Sequence, residues 1–328
     1  MKNKYTKILL LSALNILLVS CGGTNKTFDV ASYGKELSFT GDSFKVMQLT
    51  DIHLTKSADN IKVMDYLVNN IKTVNPNLII FTGDTFMNAD SSIVDYFVKR
   101  IDDCNVPWAY TFGNHDFQGD YGENYISQRI QSTSTKNALF IDNYGEDGLS
   151  GHTNYYINIK SGTDVAYRLY MIDGGNDVNV SFGITGEYDY IKEDQLQHIT
   201  KINTTLNDGA TGLAFFHIPL LEMQTAWNTC KDDATKCIGK NEEKSCPSYK
   251  NSGAFEHFKA NGIKGYFCGH DHDNYASIDY DGLIQTYGVK SSDLCYLDLD
   301  MPGYTTINLH SDGSFALDDI EKVFVKYE

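Results

Sequence analysis

The chain has 328 residues with 27 Lys+Arg against 43 Asp+Glu, a formal net charge of −16 at pH 7. So negative a surface lacks the basic patch that nucleic acid or anionic lipid heads require, so neither is expected as a partner. Three arginines, Arg100, Arg129 and Arg168, exclude an Arg cluster for bidentate phosphate recognition, and 41% hydrophobic residues with only 5 Pro describe an ordinary globular chain.

Lys2, Lys4 and Lys7 precede an apolar run over residues 8–19. The run is shorter than the ~20 residues of a membrane-spanning helix and reads as the core of an export signal. It ends Leu18-Val19-Ser20-Cys21-Gly22, which resembles a bacterial lipobox, where the cysteine carries lipid and becomes the new N-terminus. Loss of residues 1–20 removes three Lys and no acid, leaving −19. The expectation is an exported protein on the outer face of a bacterial membrane, touching it only through the lipid on Cys21. Export would make the other six cysteines competent for disulfides. Cys230, Cys237 and Cys246 crowd one polar stretch, where a bridge would pin a long loop; Cys104 and Cys268 read as buried thiols.

Residues 21–42 lack apolar periodicity and read as a lipidated tether, and residues 43–328 as one domain. The first expected strand is 44–49. Met64, Leu67, Val68 and Ile71 then fall on one helical face. Strand 78–82, helix 92–104 and strand 108–112 follow. An antiparallel pair, 154–159 with 165–172, precedes a helix marked by Leu196, Ile199, Ile202 and Leu206. Strands 213–216 and 265–268 come next, then an antiparallel meander over about 283–325. Strands alternating with helices imply parallel pairing. The expected fold class is therefore α/β, a four-layer α-β-β-α sandwich of two mixed sheets.

Five of these strands end in metal-type residues. They are followed in turn by Thr50-Asp51-Ile52-His53, Gly83-Asp84, Gly113-Asn114-His115-Asp116, His217-Ile218-Pro219 and Gly269-His270-Asp271-His272. Ligands bind beyond the carboxyl ends of strands in open α/β sheets, so the five motifs should converge on one crevice. Imidazoles and carboxylates without cysteine suit Mn, Fe, Zn or Co. Glycine before Asp84, Asn114 and His270 would let the chain turn sharply. Asp51 and His53 stand two apart, as do His270 and His272, so at an extended strand end each pair would face one side.

The order D-x-H, G-D, G-N-H-[DE], H, G-H-x-H resembles the calcineurin-like metallophosphoesterases over about residues 44–287. Residues 215–220 and 269–274, with Gly151, Asn154-Tyr155 and Asn251-Ser252-Gly253, are similar to the purple-acid-phosphatase-related branch of plant and fungal type. The resemblance implies one metal ion on Asp51, His53, Asp84 and His272, and a second on Asp84, Asn114, His217 and His270, with Asp84 bridging. It implies that His115 holds no metal and acts as proton donor or transition-state stabiliser. The purple members' iron-binding tyrosine falls at Met87 here, so no tyrosinate colour is expected and the metals stay open among Mn, Fe and Zn. The aspartate that orients the histidine in protein-phosphatase members is missing from the same position. That leaves Asp116 and Asp90 as candidate partners of His115. Asp173 is a further candidate to border the site, and Tyr121, Tyr125 and Tyr287 to line its entrance. His152, His198, His257 and His310 lie outside the motifs and are expected to pack or face solvent.

The function implied is a dinuclear metal-dependent hydrolase of small phosphoric esters, a phosphomonoesterase with a metal-bridging hydroxide attacking phosphorus in line. A phosphodiesterase would use the same centre, given room for a second ester group. A non-catalytic surface lipoprotein that captures metal or ligand is the reading from another class. His115, with no ligand duty, weighs against it. A metal amidohydrolase would open with His-x-His rather than Asp-x-His.

Overall fold

The computed structural model describes residues 28–56, 59–88, 90–118, 122–180 and 184–327. The export signal, Cys21 and Tyr121 lie outside the described residues. The first half of the chain forms β1 (Gly34–Ser38), β2 (Ser43–Leu49), α1 (Asn60–Val74), β3 (Leu78–Thr82), α2 (Ser91–Asp102), β4 (Trp108–Thr111) and α3 (Gly122–Ile130). β5 (Asn154–Ser161), β6 (Asp164–Ile172), β7 (Asp177–Val180), β8 (Ile184–Tyr188), α4 (Glu193–Leu206), β9 (Thr211–Phe215) and α5 (Glu222–Cys230) follow. The remainder is β10 (Cys237–Ile238), α6 (Ala254–Ala260), β11 (Ile263–Cys268), β12 (Ser277–Tyr280), β13 (Leu283–Tyr287), β14 (Gly303–His310) and β15 (Ile320–Phe324).

These strands make two mixed sheets. One runs β15-β14-β2-β3-β4, with β2, β3 and β4 parallel. The other runs β1-β5-β6-β9-β11-β13-β12-β10, with a parallel centre from β6 to β13. β7 and β8 form a separate hairpin. All five residues of β3, Leu-Ile-Ile-Phe-Thr, are buried, as a parallel strand covered on both faces requires. The period-two alternation of β5, β6, β9 and β11 divides the apolar interior. Ile157, Leu169, Phe215 and Phe267 share one cluster with the five-stranded sheet and with α1 and α2. Tyr156, Tyr170, Ala214 and Tyr266 share another with α4, α5 and α6. Asp90 caps α2, its side chain accepting from the backbone N–H of Ser92 and Ile93. Among the described residues no helix is long and apolar enough to cross a membrane.

The structure departs from the sequence reading at three points. Residues 283–325 do not form one meander. β13 lies inside the eight-stranded sheet, parallel to β11, whereas β14 and β15 belong to the other sheet. All five β13 residues are buried, a covered interior strand rather than an alternating edge. The six described cysteines are free thiols, with Cys230 and Cys237 buried in the second cluster and Cys246 exposed. Residues 21–42 are not all tether. Val30–Tyr33 makes a short 3-10 turn, and β1 pairs in parallel with β5. Tyr33 is buried, packed against Phe28 and His198. An edge strand held by backbone bonds needs no apolar alternation, so periodicity could not reveal it. A chain starting at residue 43 should therefore melt at least about 5 °C below one starting at residue 28, through loss of one buried aromatic side chain and one strand. Equal Tm values by circular dichroism would return residues 28–42 to the tether.

Candidate metal centre

The segments that follow β2, β3, β4, β9 and β11 meet in one place. Asp51 Oδ1 lies 3.6 Å from His272 Nε2 and 3.9 Å from His53 Nε2. Asp84 Oδ2 lies 3.1 Å from His217 Nε2, 3.8 Å from His53 Nε2 and 4.0 Å from His115 Nε2. His53 Nε2 and His272 Nε2 stand 3.0 Å apart, and His270 Nδ1 is 3.1 Å from Asn114 Oδ1. Three groupings hold their ligand atoms within 4.8 Å of one another: Asp51–His53–His272, Asp84–His217–His270 and His53–Asp84–His115. All seven candidate ligands and His115 are thus brought together.

The backbone reaches this arrangement differently from the extended strand ends expected. Asp51 and His53 both have φ 54°, Asp84 has 49° and His270 has 83°. A non-glycine residue held there costs roughly 1–3 kcal/mol and persists only where its surroundings fix it. Here the Asp51 N–H donates to Gly83 O (3.2 Å) and the His53 N–H to Asp84 O (2.9 Å). Lys290 Nζ donates to Asp51 O (2.6 Å) and Ser292 Oγ to Ile52 O (2.6 Å), while Ser291 Oγ accepts from Thr50 N (3.0 Å). The glycines serve close approach as much as turning. Gly113 is extended, yet a Cβ there would overlap Asp84, and one on Gly269 would overlap Thr50 and Asp51. Gly83, at φ 88°, needs both freedoms.

Burial would raise the Asp51 carboxyl, but the His272 hydrogen bond and the charges of His217, His272 and Lys290 hold it well below the usual range. Asp84 is likewise lowered against burial, through the charge and hydrogen bond of His217 and the charges of His53 and His115. Burial alone would lower His217; Asp84 and Asp51 instead lift it to about 10. Burial and the His217 charge press His270 down to about 3, and burial with the Lys290 charge lowers His53. Two buried anions therefore draw positive charge onto an imidazole while two other imidazoles stay neutral with free lone pairs. The orientation of the rings suits ligation. His217 Nδ1 donates to Thr82 O (2.8 Å) and His272 Nδ1 to Tyr296 O (2.9 Å), turning each Nε2 towards the carboxylates. Two Nε2 atoms facing each other across 3.0 Å, beside a carboxylate, make a donor set fit for a cation.

His115 differs from its neighbours. Its N–H is fixed on Asp84 Oδ1 (2.7 Å) and its ring stands edge-on to His53, but its side chain keeps 30% exposure. Neither candidate partner reaches it. Asp116 accepts from Phe86 N and Gly113 N, both at 2.9 Å; burial first, then the Asp84 charge, pushes it up to about 7. It therefore holds the 113–116 turn, and Asp90 caps α2. Asp173 accepts from His152 N (2.7 Å) and Gly175 N (2.9 Å), tying two loops together rather than meeting the centre. Tyr287 is buried and donates to Asp271 Oδ2 (2.5 Å), so it lines no entrance, and Tyr125 donates to Asp95. His152 is buried beside Asp142 and stacked on Tyr144, His198 is buried, and His257 and His310 bond Thr200 and Asp319.

Four residues at the centre escaped the sequence reading. Lys290 is fully buried, lowered to about 8 by that burial. Asp177 accepts from Asn114 Nδ2 (3.0 Å). Tyr188 stands edge-on to His270, and Tyr296 stacks on His272, each with ring centroids 4.1 Å apart. Lys290 alone had a signal, a polar residue three positions beyond an apolar strand.

The family described as Calcineurin-like phosphoesterase matches residues 44–274. Probable inactive purple acid phosphatase 14 of Arabidopsis thaliana is 27% identical over 304 residues, covering 80% of this chain and 72% of the relative. Phosphatase DCR2 of Saccharomyces cerevisiae is 29% identical over 260 residues, covering 70% of this chain and 44% of the relative. A solved dimetal phosphatase from Danio rerio shares the fold, with a TM-score of 0.56 at 13% identity over 88% of this chain and 100% of the other. The family match takes in every strand-end motif from Asp51 to His272, so the chain belongs to the calcineurin-like phosphoesterases and is a metal-dependent phosphoesterase.

Proposed function

We propose that the chain is a dinuclear phosphomonoesterase, with Asp51, His53, Asp84 and His272 holding one ion and Asp84, Asn114, His217 and His270 the other. The observation that carries this reading is the place of Asp84. Its Oδ2 faces His53 of one group at 3.8 Å and His217 of the other at 3.1 Å, as a bridging carboxylate must. Bound ions of this kind act as Lewis acids and bring the pKa of water from about 15.7 towards ~7. His115 is the partly exposed member, anchored by its N–H and free to turn Nε2 to a leaving-group oxygen and protonate it. Buried Asp51 and Asp84 keep the ligand set anionic at neutral pH. Some relatives are named probable inactive enzymes, which favours a binding protein as the second reading. Retention of His115 beside all seven candidate ligands supports catalysis.

Residues 22–328, supplied with Mn, Fe or Zn, should hydrolyse p-nitrophenyl phosphate faster than bis-p-nitrophenyl phosphate, and a chelator should stop both reactions. A reversed ratio would make the protein a diesterase, and two bound ions with no turnover would favour the binding reading. His115→Ala should keep both ions and lose ~10²–10⁴ in kcat; an unchanged rate would remove His115 from the chemistry. Asp84→Ala should hold no metal pair, and elemental analysis still finding two ions would refute the bridge.

We further propose that the mature chain is a single phosphoesterase domain carried on a lipid at Cys21 on the outer face of a bacterial membrane. The three lysines, the short apolar run and the Leu18-Val19-Ser20-Cys21 ending support this reading. Cys21→Ser should move the protein from the membrane fraction to the soluble one, and a variant that still sediments would rule the anchor out.

A further inference from the structure

The β7–β8 hairpin ends beside the centre. Its two base residues, Asp177 and Tyr188, pair directly across the ladder. Each touches a different residue of one candidate subsite. Asp177 Oδ1 accepts from Asn114 Nδ2 at 3.0 Å, and the Tyr188 ring stands at 81° to that of His270. Asn114 Oδ1 and His270 Nδ1, 3.1 Å apart, close the circuit.

A carboxamide has two ends of nearly equal shape and opposite function. Its oxygen can hold a cation and its NH₂ cannot. Asn114 is 2% exposed, so bulk water does not set its orientation. A carboxylate only accepts. Asp177 therefore obliges the NH₂ to face the hairpin and turns Oδ1 towards His270. Other contacts fix the hairpin base without this carboxylate: the Asp189 N–H donates to Asn176 O (2.8 Å) and the Tyr249 N–H to Tyr188 O (2.8 Å).

We propose that Asp177 is a positioning residue for the metal subsite of Asn114, His217 and His270, with no part in that of Asp51, His53 and His272. The proposal rests on the two-metal reading above. It requires the two subsites to respond differently to one substitution, which a general loss of stability would not produce.

The test uses residues 22–328 with Mn²⁺ as the probe, followed by isothermal titration calorimetry and by the spin-coupled signal of a Mn pair. The wild-type chain should take two ions. Asp177→Ala should keep one at wild-type affinity, bind the other ~10–100-fold more weakly and show the spectrum of isolated Mn at limiting metal. Asp177→Asn, which retains an acceptor oxygen, should restore most of the second affinity. Metal-free melting curves of both variants should match the wild type. Two ions bound by Asp177→Ala at wild-type affinity would overturn the proposal alone, as would equal weakening of both ions or no rescue by Asp177→Asn. A wild-type chain that takes fewer than two ions would overturn the two-metal reading, and the proposal with it.

Discussion

Asp51 and Asp84, each 1% exposed, are two anions withdrawn from water where two sheets meet. An isolated buried carboxylate would neutralise itself by taking a proton. Here neither does, because imidazoles and one buried lysine surround them. Much of the local structure answers that demand. Glycines at 83, 113 and 269 leave room for the carboxylates, and the segment 290–292 clamps the backbone on either side of Asp51. Asp116, raised by its burial and then by the Asp84 charge, ties down the 113–116 turn.

The strain at Asp51, His53, Asp84 and His270 belongs to the same arrangement. Four left-handed residues in three short turns would be a heavy load on isolated loops. They follow strands whose last four residues are buried, and each turn is hydrogen-bonded to its neighbour. The rigid parallel strands below thus hold the geometry that the ligands need above.

The candidate ligands were legible because each follows an apolar strand, and apolar strands announce themselves. The five strands lie within two residues of where periodicity puts them, as β3 over Leu78–Thr82 illustrates. What periodicity could not reach was conformation and long-range pairing. Asp51 and His53 look like an extended pair in sequence, yet both turn left-handed because Gly83 and Asp84 accept their N–H groups. β1 is placed by backbone pairing with β5, and β13 changes sheet partners through pairing that no local pattern encodes. Asp177 and Lys290 reach the centre from 63 and 239 residues away from the groups they bond, in stretches that read as ordinary turns.

The division of ligands between the sheets carries a last consequence. Asp51, His53, Asp84 and Asn114 leave the five-stranded sheet, whereas His217, His270 and His272 leave the eight-stranded one. An ion held by both sets staples the sheets together, so loading and stability are thermodynamically linked. At a free ion concentration of 100 Kd, one site contributes about 2.7 kcal/mol to the folded state. The full donor set exists only once the two sheets have closed on each other. An ion held by this set would therefore stabilise the closed pair of sheets over any state in which they have come apart.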